Sequence, residues 1–208
     1  MHISQNAQGT DEWMKERTGI VTGSNFNSIF TSTGKKSASA EGYKNQLLAE
    51  WVTGTKTSIK ATEWMQRGVE LEPRAKLAYQ IITGHSVTEV GLCRDSKDSL
   101  IGVSPDGLIE SMHIYSHGLE IKCPMPANHI KYISDRKLPT TYVQQVQGSM
   151  LITGIDRWDF MSYHPAMPHF LITVEKDQKY HNLIKPILDD FIGEMLKKRE
   201  FLSDFIND

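Results

Sequence analysis

Apolar residues recur along this chain first with helical spacing, then with a period of two, and then with helical spacing again. Asp11 to Arg17 follows a capping residue, Thr10, and stops short of Gly19, which predicts a first helix. A second is expected from near Ser24, in GSNFNSIF. Ala40 to Thr53 sets Tyr43, Leu47, Leu48 and Trp51 on one face, with Ser39 as its cap. Thr62 to Thr83 is a long helical run interrupted by Pro73. Proline disfavours helical dihedrals in the residue before it, so a kink or a fresh start is expected at Glu72. Short strands follow at Val87 to Cys93, Leu100 to Val103, Leu108 to Ser111 and Gly118 to Cys123, separated by turn residues. Pro124 and Pro126 open a helix through Asn128 to Ser134, and Pro139 opens the next, Thr140 to Thr153. Strands at Arg157 to Tyr163 and His169 to Glu175 precede a last helix from about Asp177 to Phe205, with a kink expected near Pro186.

Helices, strands, helix, strands and helix in that order predict an α/β fold around a central mixed sheet flanked by helices. With 208 residues the chain has ample material for a core and is read as a single domain, 1–208. No apolar run approaches a membrane span, and MHISQNAQGTDE lacks a signal-peptide pattern, so a cytoplasmic protein with no membrane partner is expected. Cys93 and Cys123 have no metal-type spacing and read as reduced thiols. The eight histidines are scattered without a zinc-binding pattern, which leaves structural or surface roles for each. The net charge of −2 is not the global footprint of a nucleic-acid binder. Binding to DNA would rest on local clusters drawn from Lys35, Lys36, Lys56, Lys60, Arg67, Lys131, Arg136 and Lys137.

One stretch carries chemistry. Ser104 to Pro124 holds Asp106 in a Ser-Pro-Asp-Gly turn and then the triplet Glu120-Ile121-Lys122. Side chains alternate along a strand, so Glu120 and Lys122 share a face while Ile121 points the other way. Two carboxylates beside an ammonium suit a hard cation with oxygen ligands next to a phosphate. A surface salt bridge on an edge strand is the plainer reading of Glu-x-Lys. Pro105 and Gly107 weigh against it by fixing a turn that aims Asp106. On the Thr140 to Thr153 helix, Tyr142, Gln145 and Ser149 form one stripe beside the apolar stripe Val143, Val146 and Met150. Arg17 and the start of the helix near Ser24 would suit an anion. The plainer reading, which these residues alone favour, is that Ser24 caps that helix and Arg17 pairs with Glu12 or Glu16. Trp64 and Met65 read as core, with pressing against unstacking bases as the other use.

SPDG followed by LEIKCP resembles the core of the PD-(D/E)xK nucleases, in particular the phage-lambda-type exonuclease branch, the alkaline exonuclease family. WMKERTGIVTGS, RGVELEPRA, YVQQVQGSM and RWDFMSY fall in family order over nearly the whole chain. The resemblance implies a restriction-endonuclease-like core and a Mg²⁺-dependent exonuclease. Such an enzyme digests one strand of linear duplex DNA from its 5′ end to mononucleotides, leaving a 3′ single-stranded overhang for phage-type recombination. It implies two Mg²⁺ ions, with Mn²⁺ as a substitute, held by Asp106, Glu120, the Ile121 carbonyl and Glu72; Glu70 is the neighbour able to exchange roles with Glu72. Lys122 is the residue expected to position the attacking water, and Gln145 to touch DNA or the water network. The resemblance likewise implies that Arg17 and Ser24 hold the 5′-phosphate and that Tyr142 lines the site. Double-stranded DNA ends, a homotrimeric ring and a single-strand annealing protein are the implied partners, in the cytoplasm of a bacterial host of a phage or prophage. Two alternatives remain: an endonuclease on the same core, and a DNA-end-binding module whose nuclease site has decayed.

Overall fold

A computed structural model describes residues 1–57 and 62–207; Lys60, one of the basic candidates, lies outside the described residues. Nine strands are assigned among the described residues: β1 His2–Ile3, β2 Val21–Thr22, β3 Val87–Thr88, β4 Cys93–Arg94, β5 Ile101–Gly102, β6 Gly107–Ser111, β7 Ile114–Lys122, β8 Arg157–Ser162 and β9 Phe170–Glu175. The α-helices are α1 Asp11–Glu16, α2 Ala40–Thr53, α3 Glu63–Thr83, α4 Pro126–Asp135, α5 Val143–Thr153 and α6 Gln178–Asn207.

The central sheet has five strands in the order β3-β6-β7-β8-β9. The β7–β8 pair is parallel, with Glu120 opposite Phe160 and Lys122 opposite Ser162, and the other neighbours are antiparallel. The sheet is therefore mixed, as expected. A hairpin joins β6 to β7, whereas the parallel pair requires a crossover, which α4 and α5 supply.

Both faces of the sheet are covered. Trp158 and Phe160 belong to the main core with residues of α2, α5 and α6. Ile109, Leu119, Ile121 and Met161 pack on the opposite face with Ala75 and Tyr79 of α3. Gly118 is needed for the first of these layers, since a Cβ there would lie 2.5 Å from the ring of fully buried Trp158. Lys44 of α2 is buried, pairs with Glu41 at 2.9 Å and with Glu194, and so links α2 to α6.

Several expectations are corrected. Val87 to Cys93 is not one strand: its two ends belong to different sheets, β3 to the central one and β4 to a pair with β1. β5 leaves the central sheet to run parallel to β2. The stretch after Thr22 is a 3-10 helix, Gly23–Ser28, with Thr22 rather than Ser24 at its cap. Ser39 makes no side-chain capping bond, whereas Thr10 caps α1 and Thr62 caps α3 as their sequences suggest. α3 runs unbroken through Pro73, and α6 through Pro186. A proline removes only one helical N–H, and both of these helices are long enough to retain their remaining hydrogen bonds. On α5 the polar and apolar stripes do not divide a wet face from a dry one, since Gln144, Gln147 and Ser149 are buried along with Val146 and Met150.

Candidate active site

β7 ends where the polar site begins. Strand β6 pairs with β7 only as far as Gly107 opposite Leu119. Beyond that point the β6-facing edge of β7 meets the turn at Asp106 instead of another strand. The Asp106 N–H donates to the Leu119 carbonyl at 3.0 Å, and the Ile121 N–H donates to Asp106 Oδ2 at 2.5 Å. Because the N–H and C=O of one strand residue leave by the same edge, the Ile121 carbonyl is directed to the Asp106 side. The turn itself is held from the N-terminal segment. Gln8 Nε2 donates to the Pro105 carbonyl at 2.7 Å, and Trp13 Nε1 donates to Ser104 Oγ at 3.2 Å.

Glu120 is only 2 % exposed and faces α5. Gln145 Nε2 donates to its Oε1 at 2.6 Å, and the Lys122 ammonium pairs with that same oxygen. Lys122 Nζ also stands 5.4 Å from the centre of the Tyr142 ring, close enough for a cation–π contact. Burial raises the Glu120 carboxyl above the usual carboxylate range, and Asp106 and Glu72 add repulsion against the opposing pull of Lys122. Burial raises Asp106 as well. On Lys122, burial alone would lower the pKa, but Glu120 and Asp106 outweigh it and hold the ammonium charged. The site is therefore short of positive charge, with two or three carboxyls around one lysine.

Glu72 joins the cluster from α3. It lines two cavities together with Asp106, one of about 470 Å³ reaching Lys76 and Glu89, the other of about 450 Å³ reaching Lys122, Tyr142 and Trp64. Burial, then the Asp106 charge, raises its carboxyl. Glu70 is exposed and faces a different cleft with Glu63 and Arg67, so the two glutamates do not share a position. The donor set is all oxygen: Asp106, Glu120, Glu72 and the Ile121 carbonyl. Such a set fits a hard divalent cation, and the crowded, partly neutralised carboxyls are what a cation would relieve.

Arg17 and Ser24 meet in a third, small cavity of about 90 Å³, lined also by Trp13, Ser104, Gln145 and Ser149. The Arg17 guanidinium lies 3.9 Å over the Trp13 ring. Its Nε is buried without a hydrogen-bond partner, and no ion pair joins Arg17 to Glu12 or Glu16 among the described residues. Burial lowers its pKa, although Tyr43 and Glu50 act in the opposite sense. The unpartnered Arg17 Nε, with Ser24, Ser104 and Ser149 on the same cavity wall, leaves hydrogen-bonding capacity that an anion could take up. Gln145 belongs to both places, lining the Arg17 cavity and bonding to Glu120.

The basic candidates are dispersed. Lys56 is absorbed by Glu50 at 3.2 Å and by the Arg17 carbonyl at 2.9 Å, and Lys131 pairs with Asp135 at 2.5 Å. Arg67 stays next to the site, reaching the Cys123 carbonyl at 3.5 Å and stacking near Trp64. Trp64 and Met65 are not core: they are 44 % and 53 % exposed, on the rim of the cleft that reaches Lys122 and Tyr142. Helical periodicity places them on α3 without revealing that their side of it faces an open cleft.

Comparison with known proteins now bears on this geometry. The YqaJ-like viral recombinase domain matches residues 12–156, most of the chain. The chain belongs to that family, of the phage-lambda alkaline exonuclease type. A family of nucleases acting on DNA is thus the setting for the site. The chain is similar to the alkaline exonuclease LHK-Exo of Laribacter hongkongensis, 35 % identical with a TM-score of 0.84, covering 95 % of this chain and 98 % of that one. A structure of LHK-Exo in complex with dAMP superposes almost as well, at a TM-score of 0.83 and 34 % identity over the same shares. The fold, though little of the sequence, is shared with a phage-related exonuclease of Haemophilus somnus 129PT, 15 % identical at a TM-score of 0.67, over 89 % of this chain and 96 % of that one. Among curated proteins, the uncharacterized protein R354 of Acanthamoeba polyphaga mimivirus is 24 % identical over 169 residues, 76 % of this chain. The chain spans only 29 % of that relative's length. No helix among the described residues is long and apolar enough to cross a membrane.

Proposed function

We propose that residues 1–208 act as one Mg²⁺-dependent exonuclease domain that degrades the 5′-ended strand of linear duplex DNA to mononucleotides and leaves a 3′ overhang. The observation that carries this reading is the shared wall: Gln145 lies between an anion cavity containing Arg17 and the carboxylate cluster at Glu120. A terminal 5′-phosphate held by Arg17 and Ser24 would present the adjoining phosphodiester to Asp106, Glu120 and Lys122. A cavity of about 90 Å³ is sized for a terminal phosphate group rather than for a whole nucleotide. The dAMP bound to LHK-Exo is in keeping with a mononucleotide product.

Asp106, Glu120, Glu72 and the Ile121 carbonyl are the groups that would hold two Mg²⁺ ions, or Mn²⁺ in their place. When bound, the ions supply Lewis acidity to the attacking and leaving oxygens of an in-line displacement. Lys122, kept charged by its carboxylate neighbours, orients the water and offsets charge developing on the phosphoryl oxygens. Gln145 fixes the Glu120 carboxylate, and Tyr142 backs the lysine.

The ring of three subunits and the annealing protein belong to the same proposal, as does the cytoplasm of a phage's bacterial host. An apolar groove of about 530 Å³ between α2 and α6, lined by Leu48, Val52 and Leu202, supports a subunit contact on those helices. Light scattering at the mass of one chain would remove the ring.

The deciding experiment digests linear duplex DNA bearing either 5′-phosphate or 5′-hydroxyl, with and without Mg²⁺, beside covalently closed plasmid. Phosphorylated ends should disappear faster, Arg17→Ala should erase that preference, and the closed plasmid should remain intact. A nicked plasmid points to an endonuclease, and absence of Mg²⁺-dependent digestion to an end-binding module.

A further inference from the structure

On the opposite face of the sheet from Glu120, three residues far apart in sequence converge. His85 follows the C-terminal cap of α3, His117 lies on β7 and Asp159 on β8, and one ligand atom from each falls within 4.8 Å of the others. His117 Nε2 is 3.4 Å from Asp159 Oδ2, and the two imidazole rings meet edge to face at 5.0 Å. Donor atoms around a tetrahedral ion with bonds of about 2.0–2.1 Å stand about 3.3 Å apart. The His117–Asp159 pair already has that separation. His85, exposed and just beyond Gly84, needs only a small swing to complete the tripod.

Counting protons sharpens the case. Ser116 Oγ lies 3.1 Å from the Ile109 carbonyl, which only accepts, so the serine proton goes there. At 2.9 Å the same oxygen then accepts from His117 Nδ1, and in the neutral ring Nε2 is left as a lone pair aimed at a carboxylate. Asp159 is held in turn, since Thr173 donates to Oδ1 at 2.7 Å and Tyr79 to Oδ2 at 2.5 Å. Ligands with fixed tautomer and orientation are what second-shell partners produce in metal sites. Between the Nε2 lone pair and the carboxylate there is room for a proton or a metal ion, and no lysine or arginine pairs with Asp159 among the described residues.

We propose that His85, His117 and Asp159 form a transition-metal site of the zinc class, separate from the oxygen-only nuclease cluster. Two imidazole nitrogens and one carboxylate select a borderline ion over Mg²⁺, with the fourth position open to water at the exposed His85 side. The ion is a clamp: it ties the end of α3 to β7 and β8, and α3 is the helix that carries Glu72. The clamp stands whether or not the nuclease reading does.

The test is calorimetric titration of chelator-treated protein with Zn²⁺, and absorption with Co²⁺, in wild type, Asp106→Asn and His85→Ala. Asp106→Asn removes the contribution of the nuclease cluster, and His85→Ala alters an exposed side chain, so its fold survives and is checked by circular dichroism. One equivalent of Zn²⁺ should bind in wild type and in Asp106→Asn, with tetrahedral Co²⁺ bands in the visible. His85→Ala should bind at least about tenfold more weakly and lose the Zn²⁺-induced rise in melting temperature. No Zn²⁺ binding in Asp106→Asn, or equal affinity in Asp106→Asn and His85→Ala, overturns the proposal.

Discussion

Gly148→Ala is a stringent test of how α5 is seated. In an exposed helix interior, replacing glycine by alanine stabilises by about 1 kcal/mol. Here the new Cβ would lie 2.3 Å from Cδ2 and 2.4 Å from Cε2 of Phe26. Carbon atoms pack at about 3.5–4.0 Å, so the ring and α5 must part by more than an ångström. Phe26 has nowhere to go, since it is fully buried and stacked on Phe30 at 5.5 Å. Overpacking of this kind costs about 1–3 kcal/mol, and an overlap this deep belongs at the upper end. Offset by the propensity gain, the net loss is about 2 kcal/mol, or roughly 4–8 °C in melting temperature for a chain of this size. The functional effect follows from what is displaced. The 3-10 helix bearing Ser24 and Phe26 moves away from Gln145 and Ser149, so the preference for 5′-phosphorylated ends should shrink before overall digestion does. Gly42→Ala is the control: a Cβ on that α2 glycine meets nothing within 4 Å, so stability should rise by about 1 kcal/mol. Differential scanning fluorimetry on both variants is sufficient. A melting temperature for Gly148→Ala at or above wild type would refute the packing argument.

Three further outcomes are expected. Gln145→Ala removes a hydrogen bond to a charged acceptor worth about 1.5–3 kcal/mol, so kcat on duplex ends should fall roughly 10- to 150-fold with KM little changed; an unaltered kcat would show that Gln145 has no part in holding Glu120. Lys122→Ala should abolish turnover yet melt near wild type, because Glu120, already raised by burial, takes up a proton once its partner is gone; a collapsed fold would contradict this. The Glu41 carboxyl is held down to about 2, by Lys198 first and Lys44 second, from an ordinary 4.5. A group depressed in the folded state stabilises above its unfolded value and loses that contribution as pH falls through the folded one, so the wild-type advantage over Glu41→Gln in urea should vanish between pH 4.5 and about 2. A constant gap over that range would exclude the ion pair as its source.

Legibility followed the range of the interaction. Asp106, Glu120 and Lys122 were readable because a turn and one strand bring them together, and strand alternation correctly set Ile121 against the opposite face. Glu72 was suggested only by resemblance, since nothing local separates it from Glu70; its placement depends on which side of α3 meets the Asp106 turn. β1 and β2 escaped because two residues contain no full period, and the same shortness hid the break between β3 and β4. The burial of the polar residues of α5 was not legible from its stripes, because they are taken up by neighbours distant in sequence: Gln147, for example, bonds to the Glu175 carbonyl at 2.9 Å. The His85, His117 and Asp159 cluster was invisible for the same reason. Its members sit on three elements whose adjacency only the sheet order establishes.

The parallel pairing of β7 with β8 also sets an order of events during synthesis. Asp106, Glu120 and Lys122 leave the ribosome on a hairpin whose other strand-bearing neighbour has not yet been made. Gln145 comes only with the crossover, and β8, which buries Glu120 from its other side, comes later still. Until then the carboxyls stand in water, without the crowding and desolvation that set their proton affinities in the finished protein. Long-range pairing is slow to close, and the chain folds as its later segments arrive. A nascent chain therefore carries the acidic residues of a nuclease without the enclosure that arms them.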